Sequence, residues 1–235
     1  MKSRKGYTTD SLRKLMRLWK VWKAFFDAIP VWLLTVAIPA GNRKIGRVLN
    51  VSLMPIITCM HCKHCIHYCY DIKACLQYLN VLKARVRNTV LYMKAPTLYF
   101  EQIENRIRRA KKHPFFRWHV SGDIPDAFYF ENMVRIARLF PNWTFWTYTK
   151  AYEIVNAWVA ANGGSKAAVP GNLSIMFSRW DGLEMVNPYG FPEFGVIDAG
   201  EPVPNGKFLC PGNCDICKEL HTGCIAGVDT VNYLH

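Results

Sequence analysis

The stretch FFRWHVSGDIPDAFYFENMVRIARLFPNWTFWTYTK, residues 115–150, decides the fold because it contains a complete strand–helix–strand unit. The apolar and aromatic runs at 115–123 and 142–150 are typical of buried strands. Between them, apolar residues recur at helical spacing over 125–140 and predict a helix. A strand, a helix and a second strand in this order predict a parallel βαβ unit.

The same alternation extends to both sides of this unit. Further strands are predicted at 47–59, 172–180 and 194–200, and further helices at 71–87, 97–112 and 151–164. Fewer strands are predicted than the eight of a closed barrel. We therefore expect an α/β fold, a partial or irregular (β/α) barrel with parallel strands, and keep an open doubly wound sheet as the alternative.

Three segments are predicted along the chain. Residues 1–40 form a basic amphipathic extension with a helix at 10–28, residues 41–205 form the barrel-like domain, and residues 206–235 form a cysteine-rich metal- or cluster-binding segment. The apolar run at 31–41 is too short to cross a bilayer. We expect a cytoplasmic protein without a transmembrane segment.

The net charge of +13 is concentrated in two places. Residues 1–24 carry Lys or Arg at eight positions against one acidic residue, Asp10, and a second basic run, RIRRAKKH, lies at 106–113. Basic blocks attract phosphate groups. Nucleic acid is therefore a candidate partner through the N-terminal arm and residues 106–113.

Nine cysteines fall mainly into two tight clusters, an arrangement that suits metal or iron–sulfur ligation in a reducing compartment better than disulfides. The first cluster, C-x2-C-x2-C-x3-C, and the second, C-x3-C-x2-C-x6-C, supply eight candidate ligands: Cys59, Cys62, Cys65, Cys69, Cys210, Cys214, Cys217 and Cys224. Thiolates favour Zn²⁺ or iron–sulfur clusters. Zinc stays open as the alternative at Cys210–Cys224, and Cys75 is expected to be a packed thiol.

Polar residues follow the predicted strands at their carboxyl ends, where parallel α/β folds place their sites. The first strand ends at Cys59, and later strands end in SGD, YTK and SRW. The candidate cofactor-binding residues are Ser121, Gly122, Asp123, Tyr148, Lys150 and Arg179. Of these, Asp123, Lys150 and Arg179 are also the candidate catalytic residues.

Five stretches in order resemble the phage gene-product-88-like family. They are GNRKIG at 41–46, the cysteine run at 58–70, RWHVSGD at 117–123, FWTYTK at 145–150 and the cysteine-rich tail that ends in His235. The resemblance runs from about residue 40 to residue 235. It implies three cysteines in the first cluster, matching Cys59, Cys65 and Cys69, with Cys62 as an addition. The family name implies no reaction.

The architecture is also similar to that of radical S-adenosylmethionine barrel enzymes, in which a cluster loop follows the first strand. By that similarity, Asp123 or its neighbours would hold the methionyl amine. The spacing from Cys59 to Cys69 departs from the usual C-x3-C-x2-C of those enzymes.

We therefore expect an iron–sulfur protein of phage or mobile-element origin with one or two [4Fe–4S] clusters, acting on an unknown substrate. If the protein is an enzyme, the expected reaction is reductive cleavage of S-adenosylmethionine. The alternative is a zinc protein that binds nucleic acid without catalysis. A metal-dependent nuclease is disfavoured because the chain lacks the cluster of acidic residues that such a site needs.

Overall fold

The computed structural model describes residues 8–41, 45–110 and 114–233 of the 235-residue chain. Within these residues, seven strands form one sheet in which all neighbours are parallel. The strands are β1 (Leu49–Asn50), β2 (Phe115–Arg117), β3 (Thr144–Thr149), β4 (Leu173–Ser178), β5 (Glu193–Ile197), β6 (Phe208–Leu209) and β7 (Thr230–Tyr233). Their order across the sheet is β1-β2-β3-β4-β5-β7-β6.

The sheet has two edges, β1 and β6, so the described strands do not form a closed barrel. The predicted parallel α/β architecture is confirmed, and the sheet is open. Closing a barrel requires the two edge strands to pair with each other. Both edge strands here are two residues long and offer few backbone groups for such pairing.

Eight α-helices lie within the described residues. They are α1 (Thr9–Asp27), α2 (Cys62–Cys65), α3 (Tyr70–Gln77), α4 (Leu79–Lys94), α5 (Pro96–Arg109), α6 (Ala127–Leu139), α7 (Tyr152–Ala161) and α8 (Cys214–Leu220). The single helix predicted at 71–87 is in fact α3 and α4. The backbone of Tyr78 between them is extended, which interrupts the helical path.

The N-terminal helix α1 packs against α3 and α4. Its apolar face buries Leu15, Trp19 and Phe26 in the main core, and the side chain of Thr8 caps its first turn by accepting a hydrogen bond from the amide of Ser11. The predicted basic helix is therefore present. Residues 1–7 of the predicted arm and residues 111–113 of the second basic run lie outside the described residues. In the part of the chain that is described, no helix has the length and apolarity needed to cross a bilayer.

The two faces of the sheet are covered by different parts of the chain. On one face, Phe116, Phe145 and Phe177 belong to the main core, which also contains apolar residues of α4, α5, α6 and α7. On the other face, Trp146 and Met176 pack against the C-terminal segment, including its cysteines Cys217 and Cys224. This segment also adds β6 and β7 to the sheet, which the sequence did not predict.

The ends of β1 and β2 place the first cysteine cluster next to the SGD sequence. The strand predicted at 115–123 stops at Arg117 because the chain turns at His119 (φ 52°) and Gly122 (φ 78°). Backbone pairing nevertheless continues, since the amide of Leu53 donates to the carbonyl of Ser121 at 3.0 Å. Residues 53–59 and 121–123 therefore leave the sheet side by side at its carboxyl edge.

Candidate functional site

Three cysteines of the first cluster lie close together at the carboxyl edge of the sheet. Cys59 follows the turn after β1, Cys65 ends α2, and Cys69 is the N-cap residue of α3. Negative charge on Cys65 or Cys69 raises the pKa of Cys59, and charge on Cys65 also raises that of Cys69. We call Cys59, Cys65 and Cys69 the rim thiol group. Among these three thiols, only Cys65 affects the pKa of Cys62.

Burial keeps Cys59 and Cys69 protonated at neutral pH in the absence of a metal. It is the largest cause of the rise in the pKa of Cys59, to which Asp123 also contributes. Burial raises the pKa of Cys69 to about 11, although the backbone amides of Ile72 and Asp71 donate to its sulfur and oppose the rise. A metal that binds here must therefore displace protons from the thiols.

The carboxylate of Asp123 joins the rim to the end of β3. It accepts hydrogen bonds from the hydroxyl of Thr149 at 2.6 Å and from the amides of Lys150 and Ile124 at 2.8 Å. Burial raises the pKa of Asp123, and these donors oppose the rise. A carboxylate has about four acceptor positions, so one remains for a ligand.

Ser121 and Gly122 pack tightly against the loop that leads to Cys59. The hydroxyl of Ser121 is buried and has no hydrogen-bond partner within the described residues. A Cβ on Gly122 would lie 2.7 Å from the hydroxyl of Thr58 and 2.9 Å from the Cβ of Leu53, so the close approach of the two segments requires glycine.

The predicted cations lie at the same edge but differ in their contacts. The ammonium of Lys150 is 5.3 Å from the ring centre of Trp180. The guanidinium of Arg179 forms an ion pair with Glu193, with N–O distances of 2.9 and 3.1 Å, and is largely exposed. Arg179 is thus already paired, whereas the ammonium of Lys150 makes no ion pair within the described residues.

Tyr148 does not face the rim. Side chains alternate along a strand, so Tyr148 lies on the face covered by the C-terminal segment. There its hydroxyl donates a hydrogen bond to the sulfur of Cys224. The guanidinium of Arg117 lies 4.8 Å from the centre of its ring. The structure therefore places Tyr148 apart from Asp123, although both lie towards the carboxyl edge of the sheet, Tyr148 in β3 and Asp123 in the segment after β2.

The loop that carries the rim thiol group reaches across the carboxyl ends of β3 and β4. His61 lies 3.0 Å from the carboxylate of Glu153 and stacks on the ring of Tyr152 at 6.2 Å. Tyr68 contacts the ring of Trp180 at 6.2 Å. Tyr152 and Glu153 were not among the predicted site residues. Their only signal in the sequence is their position two and three residues after Lys150, the last residue of YTK.

The other four candidate ligands form a second group on the opposite face of the sheet. We call Cys210, Cys214, Cys217 and Cys224 the C-terminal thiol group. Burial is the main cause that raises the pKa of Cys217 and Cys224 to about 11, and charge on neighbouring thiols of the group adds to both shifts. Gly223 allows the ring of Phe208 to pack closely against this segment, because a Cβ there would lie 2.9 Å from a ring carbon.

All nine cysteines are free thiols. Within residues 8–41, 45–110 and 114–233, no group of three or more His, Cys, Asp or Glu side chains has the arrangement needed to hold a metal ion. Any metal centre would therefore require the sulfurs of a group to move together. A cavity of about 640 Å³ lies between α1 and α4, away from both thiol groups. A second cavity, of about 350 Å³, lies beside the amino ends of β3 and β4 and is lined in part by Ile225, which follows Cys224.

Comparison with known proteins identifies the family of the chain. The profile of the family described as gene product 88 matches residues 8–186. This range includes α1 and the rim thiol group, and it ends before the C-terminal thiol group. No curated protein and no solved structure matches the chain. Because the matched range covers most of its length, the chain belongs to the gene product 88 family.

Proposed function

We propose that the rim thiol group binds a [4Fe–4S] cluster and that the protein is a radical S-adenosylmethionine-type enzyme. One observation carries this proposal. Three thiols, close enough for the charge of one to shift the pKa of another, lie beside the buried carboxylate of Asp123 at the carboxyl edge of a parallel sheet. Three cysteine ligands leave one iron of the cluster open to a substrate. The carboxyl edge is where parallel α/β enzymes hold their ligands.

The residues around the rim suit a ligand that carries both an amine and a carboxylate. The remaining acceptor position of Asp123 can receive an ammonium group, and the ammonium of Lys150 is available to a carboxylate. The hydroxyl of Ser121 adds an unused polar group next to Asp123. Arg179 contributes less because Glu193 already neutralises it.

When bound in a reduced state, the cluster would supply the single electron that splits S-adenosylmethionine into methionine and a 5′-deoxyadenosyl radical, and the radical would become 5′-deoxyadenosine by taking a hydrogen atom from the substrate. The role of the protein would be to orient the bound S-adenosylmethionine and to exclude water. The stack of His61 on Tyr152 and the contact of Tyr68 with Trp180 provide aromatic cover over the site.

Anaerobic reconstitution with iron and sulfide tests the cluster, and 5′-deoxyadenosine formed with dithionite tests the reaction. We expect the unmutated protein to absorb at about 400 nm, as iron–sulfur centres typically do. This absorbance should be weaker in Cys59→Ala, Cys65→Ala and Cys69→Ala. Cys62→Ala and Cys75→Ala are matched controls that should keep it. Loss of the absorbance in Cys62→Ala but not in Cys59→Ala would contradict the assigned ligand set. A loaded protein that yields no 5′-deoxyadenosine would refute the radical reaction.

A second candidate function, zinc-dependent nucleic-acid binding, is favoured by the surface of α1. Arg13, Lys14, Arg17 and Lys20 are exposed on this helix, and Phe25 and Trp32 are 54% and 75% exposed nearby. Basic side chains together with exposed aromatic rings suit the binding of single-stranded nucleic acid. A colourless protein that contains zinc and binds single-stranded nucleic acid in a salt-dependent manner would support this function over the first.

A further inference from the structure

Two buried N–H donors beneath the C-terminal thiol group have no hydrogen-bond partner within the described residues. They are Nε of Arg117 and Nε1 of Trp146. The two residues are direct neighbours in the pairing of β2 with β3, so their side chains lie on the same face of the sheet. The side chain of Trp146 is fully buried. Buried donors without acceptors are rare in proteins, and these two lie side by side.

The C-terminal thiol group covers both donors. Trp146 packs in one cluster with Cys214, Cys217 and Cys224. Burial lowers the pKa of Arg117, but negative charge on its neighbours Tyr148, Tyr70, Cys214 and Cys224 would more than offset this effect. Within the described residues, Arg117 makes no ion pair with a carboxylate.

A guanidinium in this position is costly as long as its neighbours are neutral, because an uncompensated charge loses its hydration. If the thiols lost their protons on binding a metal, the resulting thiolates would remove this cost. Four thiolates around Zn²⁺ carry a net charge of −2, and four thiolates on an oxidised [4Fe–4S] cluster carry the same charge. Either centre would give Arg117 a counter-charge and would give both donors sulfur acceptors.

We propose that Cys210, Cys214, Cys217 and Cys224 hold a four-thiolate metal centre of net charge −2, with Arg117 as its counter-ion and Trp146 as a second donor to its sulfurs. Arg117 and Trp146 are positioning residues, since they act on the metal through its ligands. N–H donors to ligating sulfur stabilise the charged centre and tune its affinity or its reduction potential. This centre does not depend on the rim thiol group.

The test uses the full-length protein with Cys59, Cys65 and Cys69 replaced by Ala, purified anaerobically, with the unmutated protein alongside. We expect one centre to remain: zinc without sulfide identifies a single ion, and iron with equal sulfide identifies a cluster. Replacing Cys214 and Cys217 by Ala in the unmutated protein should remove that same centre and leave the rim centre. If the metal content does not depend on these two cysteines, the proposal is overturned whatever the state of the rim.

Arg117→Met removes the counter-charge, and Arg117→Lys keeps it. We expect chelator competition to show about 10- to 100-fold weaker metal binding in Arg117→Met, as for other residues that support metal ligands, with partial rescue in Arg117→Lys. If the centre is a cluster, the reduction potential of Arg117→Met should also fall. Equal metal affinity and potential in all three proteins would refute the role of Arg117.

Trp146→Phe provides an independent test that keeps an aromatic ring in the core. It should weaken metal binding by a few-fold. Trp158→Phe is the matched control, because the indole of Trp158 donates to Glu131, away from the thiols. If both Trp variants lose metal to the same degree, the effect comes from general destabilisation, and the assigned role of Trp146 is wrong.

Discussion

A buried ion pair between Asp71 and Arg85 attaches the helix that carries Cys69 to the rest of the protein. Nε of Arg85 donates to one carboxylate oxygen of Asp71, and a terminal nitrogen donates to the other, both at 3.3 Å. The side chains are 2% and 11% exposed. Asp71 lies in the first turn of α3, and Cys69 is the N-cap of that helix. We expect the pair to hold the rim thiol group in place as well as to stabilise the fold.

The geometry sets the size of the effect. Two unit charges about 4 Å apart attract by about 4 kcal/mol at an effective dielectric constant of about 20. Removing one partner of a buried pair typically costs about 3–5 kcal/mol, because the other charge stays buried and unpaired. We therefore expect Asp71→Asn and Arg85→Met each to lower the free energy of unfolding by about 3 kcal/mol. The double variant should lose roughly the same amount as either single variant, a coupling of about 3 kcal/mol.

Urea unfolding of the metal-free protein, followed by circular dichroism under reducing conditions, measures these values. Asp10→Asn is the matched control, because the pair of Asp10 with Arg13 is exposed. It should leave the free energy of unfolding unchanged within error. Additive losses in the double variant, or single losses as small as that of Asp10→Asn, would refute the assigned role of the buried pair.

Three further predictions concern single residues near the two thiol groups. Gly122→Ala should cost about 3 kcal/mol, from backbone strain and steric overlap together, whereas Gly163→Ala, also at positive φ but with open space around it, should cost about 1 kcal/mol; equal losses in urea unfolding would contradict the close approach at Gly122. Burial and the nearby Arg117 lower the pKa of His119 to about 3, so the unfolded chain, in which a histidine has a pKa of about 6.5, binds this proton first. The free energy of unfolding should therefore fall by up to about 1.4 kcal/mol per pH unit as the pH drops from about 6.5 towards 3, and a His119→Asn variant that keeps the same slope would refute this. Cys75→Ala should leave the metal content unchanged, because its thiol is buried and donates to Asp71; metal loss measured by elemental analysis would make Cys75 a ligand.

Several strands and helices could be predicted because their patterns extend over several turns or pairs. The patterns of β3, β4, α6 and α7 combine regular apolar spacing with polar ends. The edge strand β6 could not be predicted, whereas the edge strand β1 lies within the strand predicted at 47–59. A two-residue strand such as β6 has no periodicity of its own, and its place beside β7 depends on contacts that form only in the folded chain.

The juxtaposition of Cys59 with Asp123 could be predicted because the carboxyl ends of parallel strands meet at one edge. The position of Tyr148 could not be deduced by treating YTK as a unit, since neighbouring residues of a strand point to opposite faces. Thr149 donates to Asp123, and Tyr148 points to the C-terminal thiol group. Arg117 could be noticed in the sequence as a charged residue within an aromatic strand. Its role could not be deduced, because it depends on which segment covers the face of the sheet on which Arg117 lies.

One short segment connects the two thiol groups. Arg117, where the regular part of β2 ends, lies close to Cys214 and Cys224, and six residues later Asp123 lies close to Cys59. The left-handed turn at His119 allows the segment to leave one face and reach the rim. Tyr70, which directly follows Cys69, donates its hydroxyl to the carbonyl of Val120 within this segment. A change in the charge next to Arg117 therefore acts on the same stretch of backbone that positions Asp123, so each thiol group must be studied with the other intact as well as removed.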